Sequence, residues 1–419
     1  MHKIILGIII SVLFSSASFA ITMDEAVNSA LKNNLEILAS EHKTESSRYS
    51  AEAAKTPFLP QLNANYSYLS SSEDAYGMED QYSEFNVKVG YNLFNGFSDK
   101  YNIEAAKSAY EAQKYNTEAV KQDIILSVKK AYINVLAALD NLTVAENAYQ
   151  LLENQLKDIK LSYDVGYVAK NEVLKVEAEL ASSMQSVLSA KSKYKMAIFN
   201  IEKLTDTEIS EAEQFAILSD YIKPLPEMDA LKEKMYNNRS EIKYLEELLK
   251  SKKYTIKATK GGYFPKVNLG AGYYSYGQDM NPSDREYAYD SETVLSLTVS
   301  MNIFDGMNKH NTTKLLQSDK MYLLNTIRNA KSEMTLQLKN AIENFYLAGA
   351  SLKAAEKEMV SARENYRITQ NQFQQKVATN TDLIDARVMR TRAENTFNTA
   401  RFNIHRAIAD IERIIESDI

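Results

Sequence analysis

Leu93-Phe94-Asn95-Gly96 closes an alternating stretch of sequence and opens a long helical one, and 210 residues later Ile303-Phe304-Asp305-Gly306 does the same. The offset of 210 holds without a gap from 93–202 to 303–412: Ala131 returns as Ala341, Ala138 as Ala348, Ala145 as Ala355 and Glu202 as Glu412. Upstream the offset is 205, so that Glu36-Ile37 matches Glu241-Ile242 and Phe58-Leu59-Pro60 matches Tyr263-Phe264-Pro265. A fixed period of this kind marks two copies of one structural unit fused in tandem. The difference between the offsets falls between the two expected strands of each copy, where an outward hairpin loop absorbs it.

Downstream of each Gly the apolar residues recur at the coiled-coil period. Positions 124, 128, 131, 135, 138, 142, 145, 149, 152, 156, 159 and 163 hold Ile, Val, Ala, Val, Ala, Leu, Ala, Tyr, Leu, Leu, Ile and Tyr, steps of three and four that keep one stripe of a helix facing a partner. Adding 210 gives Met334, Leu338, Ala341, Phe345, Ala348, Leu352, Ala355, Met359, Ala362, Tyr366, Thr369 and Phe373, of which only Thr369 is polar. A second seam, Val173, Val176, Leu180, Ser183, Val187, Ala190, Tyr194, Ala197, Ile201 and Leu204, has its counterpart from Leu383 to Ile414, with Arg390 as the main interruption. Each copy therefore carries a helical hairpin, with tips at 165–171 and 375–381. The alanines admit close neighbours, and the period leaves a helical barrel and a bundle both open. An outgoing helix over 98–163 spans about 100 Å at 1.5 Å per residue, about twice the return helix. Helices over 22–55 and 227–260 have the length to cover the remainder, stacked end to end with the return helices.

Upstream of each Gly the period falls to two. Phe85, Val87, Val89, Tyr91 and Leu93 alternate with Glu84, Asn86, Lys88, Gly90 and Asn92, and Leu295, Leu297, Val299, Met301 and Ile303 alternate with Ser296, Thr298, Ser300 and Asn302. One face is apolar and the other small or polar, the pattern of a transmembrane β-strand or of a soluble hairpin with one face on a core. Residues 62–69 and 267–276 alternate less cleanly but carry Tyr66, Tyr68, Tyr273, Tyr274 and Tyr276, suited to interfacial girdles. The intervening segments, 70–81 and 277–290, are polar and partly acidic, like outside loops. Four strands cannot close on themselves, and open edges are not tolerated in lipid, so several protomers must share one barrel.

Lys3, the apolar run from Ile4 to Phe14, and small residues at Ser18 and Ala20 read as a secretory signal cleaved before Ile21; a single-span N-terminal anchor is the alternative, although about 20 apolar residues are needed for one. The chain has no Cys, 12 Gly, 6 Pro and no Trp in 419 residues, so it has few breakers, no disulfide framework and no lipid-modified Cys. Its net charge of −6 is spread over interspersed Lys and Glu, which argues against nucleic acid as a partner. The expected organisation is a signal peptide (1–20), a first repeat (21–204, hairpin 61–95), a linker (205–226, with Pro224 and Pro226) and a second repeat (227–419, hairpin 266–305). The fold class is mixed and mainly α, with long coiled-coil hairpins and four transmembrane strands per protomer.

In this tandem helix-strand-strand-helix-helix plan, with Pro60 and Pro265 at the strand entries and the two Gly motifs at the exits, the chain resembles the TolC-family outer-membrane efflux proteins over nearly all of its mature length. The resemblance implies a homotrimer with a twelve-stranded barrel in the outer membrane and a helical barrel across the periplasm. It also implies docking to a periplasmic adaptor and an inner-membrane pump of an efflux or type I secretion system.

Asp382 and Asp385 stand at i and i+3 after Asn380-Thr381, on one face near a helix start. Acids there cap the helix and compensate its dipole; the resemblance gives them a second role, as rings lining the constriction of the periplasmic mouth. It also implies that an Arg and a Tyr in the second tip lock the mouth, and here those places hold Ala378 and Phe373, leaving Glu172 without its arginine. Val165, Gly166, Glu172 and Lys376 match tip residues that meet the adaptor, while Gly166 also suits a plain left-handed helix stop. His42, His310 and His405 are scattered singly, and no nucleophile motif, phosphate loop or metal spacing appears, so neither an enzyme nor a cofactor or metal site is expected. The competing function is a structural or adhesive coiled-coil protein tethering the outer membrane, which needs no doubled strand hairpin.

Overall fold

The computed structural model describes residues 20–71, 81–210, 214–219, 221–283, 285 and 289–419. The expected signal segment and parts of both outside loops and of the linker lie outside the described residues. The elements run α1 (Met23–Asn33), α2 (Leu35–Ala53), β1 (Gln61–Ser70), β2 (Gln81–Asn95), α3 (Ser98–Asp164), α4 (Lys170–Thr205), α5 (Met228–Asn238), α6 (Ser240–Gly261), β3 (Lys266–Gly277), β4 (Ser291–Ser300), α7 (Asn308–Gln374) and α8 (Asn380–Ile415). Both outgoing helices have 67 residues and both return helices 36, as the repeat demands. Among the described residues no helix is long and apolar enough to cross a membrane.

The expected helices over 22–55 and 227–260 are each broken once, at Asn34 and Arg239, which are equivalent at the offset of 205. Both residues turn extended, with ψ of 125° and 113°. At Asn34 the side chain explains the break. Its Oδ1 accepts from the N–H groups of Glu36 (3.0 Å) and Ile37 (3.3 Å), starting α2 as an N-cap does, while its Nδ2 donates to the Leu204 carbonyl at 2.9 Å. The bond to Leu204 also seats α1 on the end of α4, the stacking expected for this helix pair.

The chain forms two compact units, each drawing on both repeats: one from residues 1–37, 121–231 and 338–419, the other from 38–120 and 232–337. The second unit holds one antiparallel sheet in the order β1-β2-β3-β4. Its register aligns Leu62, Val89, Ala271 and Leu295 in one row, and Gly90, Gly270 and Ser296 beside Gln61 in the next. Paired residues share a face, so the rows sort the sheet into an apolar side (with Val87, Tyr91, Val267, Leu269, Leu297 and Val299) and a polar side (with Asn65, Glu84, Asn86, Lys88, Asn268 and Glu292). Leu62, Leu295, Leu297 and Val299 are exposed. β4 ends at Ser300, short of the expected Ile303, because its partner β3 begins at Lys266 directly after Pro265, which has no N–H to offer. β2 does reach Asn95, with a register shift between Asn92 and Phe94.

The strand-to-helix exits are left-handed at two successive residues in both repeats, Gly96 and Phe97 (φ 59° and 65°) and Gly306 and Met307 (φ 68° and 69°). Gly96 has a second constraint: a Cβ there would lie 2.0 Å from the Gly261 carbonyl oxygen, whereas at Gly306 it would meet nothing within 4 Å.

In the first unit the heptad seams form the core. Ile124, Val128, Ala131, Val135, Leu142, Leu152 and Ile159 of α3 are buried, and so are Leu338, Ala341, Phe345, Ala348, Ala355, Ala362 and Tyr366 of α7. Thr369, the polar exception in that seam, is buried with them. Arg390, the interruption of the α8 seam, stacks on the Tyr366 ring at 5.1 Å and shares the Glu394 carboxylate with Arg363. Tyr132, fully buried, shares its one hydroxyl proton between the carbonyls of Ile21 (2.7 Å) and Ala216 (2.8 Å), stapling the start of the described chain and the linker onto α3. Burial pushes the Tyr132 phenol up to about 12. On α4 the side away from this core carries exposed Leu174, Met184, Leu188, Met196 and Phe199, an apolar surface uncovered in a single copy.

Candidate functional site at the hairpin tips

Both tips are built on one turn. The N–H of Gly166 bonds to Tyr163 O (2.9 Å) and that of Tyr167 to Ser162 O (2.8 Å); the N–H of Lys376 bonds to Phe373 O (3.0 Å) and that of Val377 to Gln372 O (2.8 Å). These bonds close each outgoing helix around a left-handed residue, Gly166 at φ 80° and Lys376 at φ 64°. Gly166 is therefore a helix stop in its own right, and it and Val165 stay exposed at the tip. The starts of the return helices differ. Ala169 offers α4 no side-chain cap, whereas Thr379 and Asp382 form a complete capping box on α8, the Asp382 Oδ2 accepting from the Thr379 N–H (2.8 Å) and hydroxyl (2.6 Å). Those bonds hold the Asp382 carboxyl below its ordinary range. The capping role of Asp382 is thus realised, while Asp385 is exposed and has no partner among the described residues.

The two tips are tied to one another within the protomer. Asn380, 5 % exposed, donates to Glu172 Oε2 at 3.1 Å and accepts from Gln155 Nε2 at 2.6 Å. Gln155 in turn accepts from the buried Arg387 guanidinium. Glu172 also takes Lys175 at 2.9 Å, and these two donors hold its carboxyl below the usual range. Lys376 lies 4.2 Å over the Tyr167 ring, a cation–π contact from one tip to the other. Beneath these links Phe373 packs against the clusters of Leu152, Ile159, Val173 and Val176 and of Tyr366, Leu383 and Ala386. Burial pulls the Arg387 guanidinium below its ordinary value. Arg387 and Gln155 belong to no motif in the sequence; the available signal was a charged residue four places after Leu383, on the buried stripe of α8. Of the six residues singled out from the sequence, Glu172 and Lys376 join this tie, Asp382 caps, and Val165, Gly166 and Asp385 face outward.

A family model described as outer membrane efflux protein matches residues 26–206 and 231–415, both repeats almost end to end. The chain belongs to the outer membrane efflux protein family. Membership places this efflux protein in the outer membrane, with its helical hairpins in the periplasm, in a family of channels rather than enzymes. It is 22 % identical over 403 residues to the outer membrane protein TolC of Escherichia coli strain K12, covering 93 % of this chain and 81 % of that one. It is 19 % identical over 407 residues to the alkaline protease secretion protein AprF of Pseudomonas aeruginosa, covering 92 % and 82 %. Its fold matches that of the channel CusC with a TM-score of 0.82 at 14 % identity, over 96 % of this chain and 94 % of that one.

Proposed function

We propose that this efflux protein is the passive exit duct of a tripartite efflux or type I secretion assembly, a homotrimer whose tips dock to a periplasmic adaptor and, through it, an inner-membrane pump. One observation carries the reading. The sheet ends in two edge strands, β1 and β4, that pair on one side only, and it exposes an apolar face. Lipid tolerates neither free edge. All neighbouring pairs in the order β1-β2-β3-β4 are antiparallel, so β4 of one copy can take β1 of the next and keep the alternation, and three copies close twelve strands. The names of the relatives support both branches, since AprF is a secretion protein. In this reading the tied tips are the closed periplasmic mouth, Val165, Gly166, Glu172 and Lys376 lie where an adaptor arrives, and Asp382 and Asp385 form acidic rings around the constriction.

The absence of native cysteine makes the test direct. Single cysteines introduced along β1 and β4 are paired across a library and cross-linked in membranes. A β1–β4 pair should give a covalent trimer and either cysteine alone none. A protein that inserts and stays monomeric, or that cross-links only to dimers, refutes the shared barrel.

A further inference from the structure

We propose that a groove in the first compact unit is a binding site for hydroxylated carboxylates of the sugar-acid class, with the acid group held by Arg387. The groove encloses about 870 Å³ and is lined by α3, α4, α7 and α8, with Ala145 of α3 and Ala355 of α7 equivalent at the offset of 210. Arg387 of α8 lines it while only 4 % exposed. Nη2 of its guanidinium donates to the Gln155 side-chain oxygen, whereas Nε and Nη1 are buried without a hydrogen-bond partner among the described residues. Glu179, another lining residue, and the Tyr366 phenol support the charge of Arg387, but neither closes a hydrogen bond of normal geometry to those two nitrogens. Buried donors are as a rule satisfied, so orphaned ones in the wall of an open groove mark the place of a missing acceptor. The second Nη2 hydrogen still makes a planar fork with Nε or with Nη1, the geometry that takes both oxygens of a carboxylate.

The rest of the groove calls for donors, which a bare anion or an apolar acid lacks. The hydroxyls of Ser186, Thr396 and Thr399 line it, and each gives its proton to the carbonyl four residues back, at 3.2, 3.0 and 2.8 Å, so oxygen lone pairs are what they offer. Asn395, in the same lining, has a buried Oδ1 with no partner. The carboxylates of Glu179 and Glu358 add further acceptors and oppose an anion that brings no donors of its own. Asn395 follows Arg387 by two turns of α8, about 12 Å along the axis at 1.5 Å per residue. A ligand that serves both carries a carboxylate at one end and hydroxyl donors along the rest of that distance, the dimensions of an acidic disaccharide. The site stands on the helices of one chain and does not rest on the duct reading.

The test is calorimetric titration of the full-length protein, in a detergent without sugar groups, with lactobionate, with lactitol, which has the same skeleton and a neutral alcohol in place of the carboxylate, and with acetate, which is the acid group alone. Lactobionate should bind on the order of tenfold more tightly than either, the scale of one charge-assisted contact. Arg387→Met should remove that preference. Gln155→Leu breaks the same bond between the two side chains but leaves the guanidinium in place, and it should keep the preference, which separates loss of the site from disturbance of the tips. Ser183→Leu puts an apolar side chain at the serine of the α4 seam, a change that suits helix packing while filling the groove, and it should weaken lactobionate by on the order of tenfold. No lactobionate binding by the natural chain, equal affinity for lactitol, loss of the preference in Gln155→Leu, or binding untouched by Arg387→Met or Ser183→Leu overturns the proposal.

Discussion

Replacing Asn380 by Ala should release the two hairpin tips from each other while leaving the helices folded. Asn380 is the first residue of α8, where Ala is well tolerated, so the local helix loses little. The loss falls on the tie: the bonds to Glu172 at 3.1 Å and Gln155 at 2.6 Å both disappear. Gln155 keeps Arg387 on its oxygen but has an amide N–H facing a buried site without an acceptor, and an unpaired buried donor costs about 1–3 kcal/mol. That cost applies only while the tips are together, since separated tips admit water. At the low end, about 1 kcal/mol in each copy would, in the proposed trimer, weaken the tied arrangement by roughly 3 kcal/mol, about a hundredfold in its population at 1.4 kcal/mol per decade. Single-channel recording in planar bilayers should show a higher mean conductance and longer open periods, and Gln155→Leu should do the same. Conductance and gating unchanged in both well-folded variants would refute the tie and leave Phe373 packing and the Lys376–Tyr167 contact to hold the tips.

Four other outcomes are expected. Gly96→Ala should abolish assembly, because its Cβ would lie 2.0 Å from the Gly261 carbonyl, whereas Gly306→Ala should meet only the left-handed penalty of about 1–2 kcal/mol, read as a modest fall in melting temperature. Leu295→Arg, in the middle of β4 on its apolar face, should impair outer-membrane insertion by about 2–4 kcal/mol of midplane cost, with Ser296→Arg on the polar face far milder; equal effects mean that the two faces are reversed. Tyr132→Phe should destabilise the first unit by about 1–3 kcal/mol by leaving the Ala216 carbonyl without its phenol donor, the Ile21 carbonyl keeping the Ala216 N–H. The natural chain should have that contribution intact below the ordinary phenol value of 10.0 and lose it as pH rises toward about 12, because the folded pKa is raised; a melting curve flat across that window speaks against it. Asp385→Asn should reduce cation selectivity of the closed channel without altering thermal stability, since Asp385 caps nothing; unchanged selectivity removes it from the mouth.

The architecture was legible because its signals are long and redundant. A seam of a dozen positions read twice at one offset fixes α3 and α7, and the burial of Val128, Val135, Leu338 and Ala341 follows from the period. The breaks at Asn34 and Arg239 were missed because each is a single residue inside an otherwise periodic run, and only the reach of Asn34 to Leu204 reveals its role. β4 was read three residues too long because alternation continues to Ile303 while the partner strand does not, and pairing is a property of two strands. At the tips, Thr379 and Asp382 follow the known spacing of a capping box, but the Gln155–Asn380–Arg387 tie joins residues 225 and 232 positions apart, with no repeat to announce it. Its repeat counterparts are Asn365, Lys170 and Glu177, so the tie is a difference between the halves, and comparing the halves conceals it.

That difference reaches beyond the protomer. Gly166 adopts its left-handed turn freely, while Lys376 adopts the same turn with a side chain that goes to Tyr167. One hairpin end is bare and the other has a long cation already engaged. In the proposed trimer six such ends would alternate in character, so an adaptor approaching from the periplasm would meet two kinds of berth in strict succession. An adaptor able to grip both must itself carry two faces or arrive in two poses. Duplication within the chain would thereby give the proposed threefold assembly a vocabulary of six places of two kinds.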